Sequence, residues 1–214
     1  MRTSSLWGRP PTRFYNFLAR VEATFQAAPL TVGILGCSDG KFVLPMARRG
    51  HLVWAIDIDD IALFGGTKVG PSGPVHMTGL SERLRLEGLS DRVKIVHGDF
   101  IDCRYTQSFH AVFTSGAVQY SRNMKYSFEQ IIKKLKEPVR DRGYIYVDYM
   151  LPLEEKYKGR DNYPPKAVWS SFFSGRGWRL LYNRVLPPLF ERAHVDNPAD
   201  HYHHWGHLLA QRTK

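Results

Sequence analysis

The segment Thr31–Asp57 constrains this chain more than any other. Thr31–Leu35 (TVGIL) is a short apolar run rich in β-formers, the pattern of a buried strand. Gly36-Cys37-Ser38-Asp39-Gly40 follows as a turn, and Lys41–Arg49 reads as a helix closed by Gly50. Pro45 falls early enough to be tolerated near its first turn. Leu52–Ile56 (LVWAI) is a second strand and ends at Asp57. Strand, glycine-rich turn, helix and strand form a βαβ unit, and that crossover demands a parallel sheet.

The alternation continues to the end of the chain. Before the unit, Phe14, Leu18, Val21 and Phe25 fall at helical spacing, so a helix is expected over 12–28, preceded by a flexible leader at 1–11. Residues 64–75 (FGGTKVGPSGPV) read as a Gly/Pro-rich loop that can move, and Leu80–Leu89 as a helix. Val93–His97, Ala111–Thr114 and Tyr144–Tyr149 read as strands three to five. A helix carrying Phe128, Ile131, Ile132 and Leu135 precedes the fifth strand. Pro165 opens another helix, and two last strands lie near Arg179–Arg184 and Trp205–Gln211. The whole of 12–214 is therefore expected to be one α/β domain.

Composition narrows the class. At 214 residues with 43% hydrophobic content, the chain can bury one core. No run of 18 apolar residues predicts a membrane span, and the N-terminus lacks the apolar core of a signal peptide. Only two cysteines, Cys37 and Cys103, fit a reducing, cytoplasmic setting. The net charge of +10 invites a nucleic-acid partner, but the basic residues are scattered and form no block of five or six. Nucleic acid is thus a permitted partner rather than the expected one, no membrane partner is expected, and oligomeric state is open.

The turn carries the chemistry. Glycines between a strand and a helix let backbone approach a ligand, and N–H groups at the helix start welcome anionic groups. A nucleoside also needs a carboxylate at the end of the next strand for its ribose hydroxyls. Asp57 supplies one, 17 residues after Gly40. The dinucleotide fingerprint G-x-G-x-x-G is not met by G-C-S-D-G, which sets back a nicotinamide-dependent oxidoreductase.

The segment ILGCSDGKFVLPMARRGHLVWAIDID resembles the opening of the class I S-adenosylmethionine-dependent methyltransferases, whose first motif commonly reads D/E-x-G-x-G-x-G. VKIVHGDF resembles that family's third strand and adenine-side acidic loop, and FHAVFTSGAVQYS its fourth strand and substrate-facing edge. Gly-Tyr-Ile-Tyr-Val, Gly-Trp178 and WGHLLAQR resemble strands five to seven, so the likeness runs over roughly residues 30–212. The resemblance implies a doubly wound, mostly parallel seven-stranded Rossmann-like sheet with an antiparallel final strand, and S-adenosylmethionine as cofactor. It implies cofactor contacts from the Gly36, Cys37, Ser38 and Gly40 backbone, Asp57 and Ile58 at the ribose, and Asp99 and Phe100 at the adenine. Ser115 and Gly116 would approach the methionine end, and Tyr15 would close over the site. Three positions depart from the family pattern: Ile34 stands where an acid is usual, Ser38 replaces the middle glycine, and His110 replaces an aspartate.

On the substrate side the candidates are Tyr120 and Tyr149, after strands four and five, and the histidines 201, 203, 204 and 207. Alternation along a strand would put His201, His203, Trp205 and His207 on one face. Zinc needs three or four converging ligands and no cysteine lies near, so no metal is expected there. A histidine near pKa 6.5 suits proton removal, and His203 is the candidate base. The expected activity is direct methyl transfer to an oxygen or nitrogen of a small molecule, of the secondary-metabolite kind. The alternatives are RNA or protein methylation, or a cofactor-binding cyclase or regulator that does not methylate.

Overall fold

The computed structural model describes residues 4–26, 29–121, 126–153, 163–175 and 177–214; the side chains of Tyr120 and Ser121 lie outside that set. Helix α1 (Thr12–Phe25) leads into β1 (Thr31–Leu35), α2 (Val43–Arg48), β2 (Leu52–Asp57) and α3 (Asp60–Phe64). A hairpin follows, β3 (Gly66–Gly70) and β4 (Gly73–Met77), then α4 (Leu80–Glu87), β5 (Val93–His97) and β6 (Phe109–Ser115). The short α5 (Val118–Ser121), then α6 (Phe128–Lys136), β7 (Val139–Leu151), α7 (Lys166–Phe172), β8 (Trp178–Val185), β9 (Leu189–Glu191) and β10 (His201–Arg212) complete the described chain.

The main sheet runs β5-β2-β1-β6-β7-β10-β8. Neighbours from β5 to β7 are parallel, while β10 is antiparallel to both β7 and β8. Strand order reverses between β1 and β6, and in open α/β sheets ligands bind in the crevice beyond the strand ends at such a switch. The small strand β9 pairs with the start of β10.

Two apolar layers hold the sheet. On one face Phe14, Phe17, Leu18 and Val21 of α1 pack with Phe42, Phe113 and Tyr146, the last two stacked at 4.9 Å. On the other, Ile131, Ile132 and Leu135 of α6 and Trp169 of α7 cover Val112, Ile145 and Tyr149. Full burial of each large side chain contributes about 1.5–3 kcal/mol, which is what keeps the strand ends in register.

Several boundaries differ from the sequence reading. Helix α1 stops at Phe25 because Gln26 turns left-handed at φ 47°; residues 27–28 lie outside the described set. The expected loop 64–75 is largely the β3–β4 hairpin, in register from Gly66↔Met77 to Gly70↔Gly73. Its Thr67-Lys68-Val69 and Pro74-Val75-His76 runs alternate in exposure, a period of two that the glycine content hides. Strand β10 begins at His201, so the histidines belong to the strand itself and not to a loop before it.

Candidate active site

The turn after β1 curls back over β2. The Gly36 and Cys37 N–H groups both donate to the Ile56 carbonyl, at 2.9 and 3.1 Å. Ser38 N–H donates to the Asp57 carboxylate at 2.6 Å, and Gly40 N–H to the Cys37 carbonyl at 3.0 Å. These four donors are therefore already engaged, which corrects the expectation that they wait for an anionic group. The turn is a close backbone surface with a carboxylate set against it. Gly36 and Gly40 have φ +75° and +89°, and a Cβ on either would run into Ala117 or into Leu44 and Leu80. Ser38 also takes a positive φ, 46°, where the family pattern has glycine. A non-glycine residue there costs of order 1–2 kcal/mol. Its hydroxyl is used: it accepts the Trp7 indole N–H at 2.9 Å.

Asp57 sits at the tip of β2, its second oxygen accepting Asp59 N–H at 2.9 Å. Burial pushes its carboxyl above the ordinary value, and the backbone bonds from Asp59 and Ser38 only partly offset this. Ile58 stands exposed beside it. Asp99, after β5, accepts Ile101 N–H at 3.0 Å and is likewise raised by burial. Phe100 is a correction: only 2% exposed, its ring belongs to the core with Leu35, Trp54 and Ile56, which leaves only its backbone for an adenine. Cys37 is buried as well, its thiol raised by that burial, so it too offers backbone only.

Beyond β6 a polar cluster gathers around Asp148 of β7. Ser115 donates through its hydroxyl to Asp148 Oδ2 at 2.9 Å, and Gly116 N–H to the Asp148 carbonyl at 3.0 Å. Arg13 of α1 lies 3.6 Å from Oδ2, and His207 Nδ1 bonds Oδ1. Both Asp148 and His207 are buried. His207 Nε2, Arg13 Nε and Gln119 Nε2 are buried without a hydrogen-bond partner among the described residues. A Cβ on Gly116 would come within 3.8 Å of that Gln119 nitrogen and 3.0 Å of the Trp205 ring. Orphaned buried polar atoms cost about 1–3 kcal/mol each and are few in native folds, so three around one strand end mark a place shaped for a polar ligand.

Tyr149 does not join this cluster. Alternation along β7 sends it to the opposite face from Asp148, where it stacks on Trp169 at 4.5 Å and donates to Asn183 Oδ1 at 2.6 Å. It is 1% exposed and burial pushes its phenol to about 12, so it is a core residue and not a substrate contact. The Tyr120 side chain lies outside the described residues. Tyr15 is exposed on α1, its ring edge-on to Phe14 at 5.2 Å. His203 Nε2 is 2.8 Å from Glu191 Oε2 and 2.9 Å from His201 Nε2, and burial lowers its pKa.

The expected free leader is held against the turn. Ser5 and Leu6 donate to the Asp39 carboxylate at 2.6 and 2.7 Å, and Trp7 reaches Ser38 as described. Trp7 also meets the His194 ring at 5.3 Å, edge to face. Lys68 of the hairpin bonds Asp59 and, at 3.1 Å, Asp196 in the loop before β10. The contacts close a circuit: β2 tip, hairpin, loop 192–200, leader, glycine turn, and back to Asp57. The sequence reading missed Trp7, Arg13, Lys68 and Asp148 in these places, and named His207 only among the substrate-side histidines. For Asp148 a signal existed, a lone carboxylate inside the apolar run YIYVDYM. The departure at His110 is structural: its Nδ1 accepts Thr31 N–H at 2.9 Å at the start of β1.

Searches against known proteins add to this geometry. No protein-family model and no curated sequence matches the chain. Solved structures do. TehB from Haemophilus influenzae superposes with TM-score 0.64 at 14% identity, over 92% of this chain and 62% of that protein, so the chain spans less than two thirds of its length. Magnesium protoporphyrin IX methyltransferase from Synechocystis PCC 6803, with bound S-adenosylhomocysteine, gives 0.62 at 13% identity over 94% of this chain and 82% of that one. A Burkholderia thailandensis 1,6-didemethyltoxoflavin-N1-methyltransferase gives 0.59 at 12% identity, over 94% of this chain and 78% of that one. At such identities the likeness speaks for the fold. With its switch at β1/β6 and β10 inserted antiparallel between β7 and β8, the chain has the Rossmann-like fold of the class I S-adenosylmethionine-dependent methyltransferases.

Proposed function

We propose that this protein is an S-adenosylmethionine-dependent methyltransferase acting on an oxygen or nitrogen of a small molecule. The observation that carries the reading is Asp57, a half-buried carboxylate pressed against a close-packed backbone turn on the neighbouring parallel strand. Bound S-adenosylmethionine supplies an electrophilic methyl group. In this reading the Gly36–Gly40 backbone, Cys37 and Ser38 included, faces its amino-acid part, and Asp57 with Ile58 holds the ribose. Asp99 and the Phe100 backbone meet the adenine, Ser115 and Gly116 border the methionine end, and Tyr15 closes from α1. The polar cluster at Asp148 supports the fit, because its unpartnered donors suit a zwitterionic ligand.

The protein's main contribution is alignment, which accounts for roughly 7–11 kcal/mol in well-oriented reactions. Where the acceptor must lose a proton, His207 is the better base. Asp148 orients its ring through Nδ1 and leaves Nε2 without a partner among the described residues, whereas His203 is already engaged by Glu191 and His201. Several arginines that raise the net charge are paired on the surface, Arg48 with Glu87, Arg49 with Glu22 and Arg85 with Glu82, which supports a small acceptor over RNA. The test is calorimetric titration with S-adenosylhomocysteine and with NAD. Heat with the sulfur ligand alone is expected, with stabilisation of about 2.7 kcal/mol at a hundredfold excess over Kd. Binding of NAD and not of the sulfur ligand refutes the reading.

A further inference from the structure

The pairing of β9 with β10 builds a second constellation that the methyl-transfer reading does not use. In that register Glu191 stands opposite His201, and His203 lies two residues further along the same face. Phe190 and Tyr202 point the other way, their rings meeting at 5.3 Å. The loop between the strands folds back through paired backbone bonds between His194 and Asn197, at 2.8 and 3.1 Å. Ala193 N–H on the Asp200 carboxylate at 2.8 Å fastens its ends. This brings His194 over the same face.

Four donor atoms converge there, all within 4.8 Å of one another: Glu191 Oε2 and the Nε2 atoms of His194, His201 and His203. His203 Nε2 is 2.8 Å and His201 Nε2 is 3.6 Å from the glutamate oxygen, and the two nitrogens are 2.9 Å apart. Ligands at about 2.0–2.1 Å from a tetrahedral zinc stand roughly 3.3 Å from each other, so this triangle needs only slight adjustment to surround an ion. The outer contacts favour it. His201 donates through Nδ1 to the Ala199 carbonyl at 2.8 Å, which leaves the lone pair on Nε2 facing the centre. His203 Nε2, set between two acceptors, must then carry a proton. A metal would take that proton's place while the ring holds its proton on Nδ1 instead. His194 differs: its Nδ1 accepts Asp196 N–H at 3.2 Å, so its Nε2 presents a proton, suited to whatever occupies a fourth position.

We propose that Glu191, His201 and His203 form a binding site for a divalent transition-metal ion of the zinc class, with an open fourth position bordered by His194. Two imidazoles and a carboxylate favour zinc, cobalt or nickel over magnesium or calcium. The rings of His203 and Trp205 lie 5.4 Å apart, so the site stands at the rim of the cluster around Gly116. The proposal does not rest on methyl transfer, since metal uptake can be read on the chain alone.

The experiment uses tag-free, chelator-treated full-length protein titrated with Zn2+ and with Co2+, Mg2+ serving as the control. One equivalent of Zn2+ is expected to bind, Co2+ should develop the visible absorption of a low-symmetry site, and Mg2+ should not compete. His203→Ala should weaken Zn2+ binding at least about a hundredfold. Glu191→Gln, which keeps shape and changes only the donor, should do so with unchanged circular dichroism, and His194→Ala should have a much smaller effect. No uptake by the wild type, or equal uptake by the wild type and the Glu191→Gln variant, overturns the proposal.

Discussion

Asp57 illustrates how one residue ties the sheet to the chemistry. Ribose hydroxyls need an acceptor, and only the ionised carboxyl accepts through both oxygens. Burial raises this carboxyl above the ordinary aspartate value. Acidification should therefore weaken cofactor binding from a higher pH than it would for an exposed aspartate. Asp57→Asn cannot ionise; at neutral pH it should bind roughly 10- to 150-fold more weakly and lose that contribution to the pH dependence. Calorimetry of both proteins across the acidic range checks this, and overlapping profiles would exclude Asp57 from the ribose site. His207 makes a second case. If it removes the acceptor's proton, His207→Gln should lower turnover by roughly 10²- to 10⁴-fold and leave adenosylhomocysteine affinity within a small factor. A loss of affinity equal to the loss of turnover would mean that the dyad with Asp148 only holds the pocket together. At this scale sequence periodicity has a definite limit. It brought Tyr149 to the fifth sheet-forming run, but parity along β7, set by which helices cover which face, turned the ring into the core, and Phe100, in the turn after β5, is likewise packed inward.

Elements were more legible where apolar runs dominate. Val93–His97 and the Thr31–Leu35 strand stand where the residues predict; for the latter the reason is that a buried parallel strand reads as an unbroken β-rich run. The hairpin β3–β4 was hidden because glycine and proline mark turns, and here they also sit inside strands at a sheet separate from the main one. The convergence of Glu191 with His201 and His203 was hidden for another reason: it depends on the pairing of β9 with β10, which no local spacing encodes. The hairpin yields a prediction of its own. Lys68 is its bridge to Asp59 and Asp196, so Lys68→Ala should speed amide exchange over Gly66–Met77 in the ligand-free protein. Added adenosylhomocysteine should slow exchange there and around Tyr15. Rates that respond to neither change would mean that hairpin and α1 do not help to close the site.

At the scale of the whole molecule, the parallel α/β character was readable in the alternation of strands and helices, the doubly wound sheet with its antiparallel final strand was implied by the family resemblance, and the strand order with its reversal at β1/β6 belongs to the fold itself. No described helix is long and apolar enough to cross a membrane. Less visible in the sequence was the circuit that joins the Asp57 tip, the hairpin, the loop 192–200, the leader and the glycine turn through Lys68, His194, Trp7 and Ser38. A closed ring of weak links behaves as a latch with a single opening time, because a guest cannot lift any segment while its neighbours stay fastened. Some of those links are ionic, Lys68 with Asp59 and Asp196, and exposed ion pairs of this kind weaken as salt rises. Cofactor association followed by stopped flow should therefore quicken as salt rises, with dissociation quickening alongside it and Kd changing little. An association rate indifferent to salt would mean that the way in lies elsewhere. Where association does quicken with salt, the ring at the strand ends sets how often the pocket opens more than how tightly it holds.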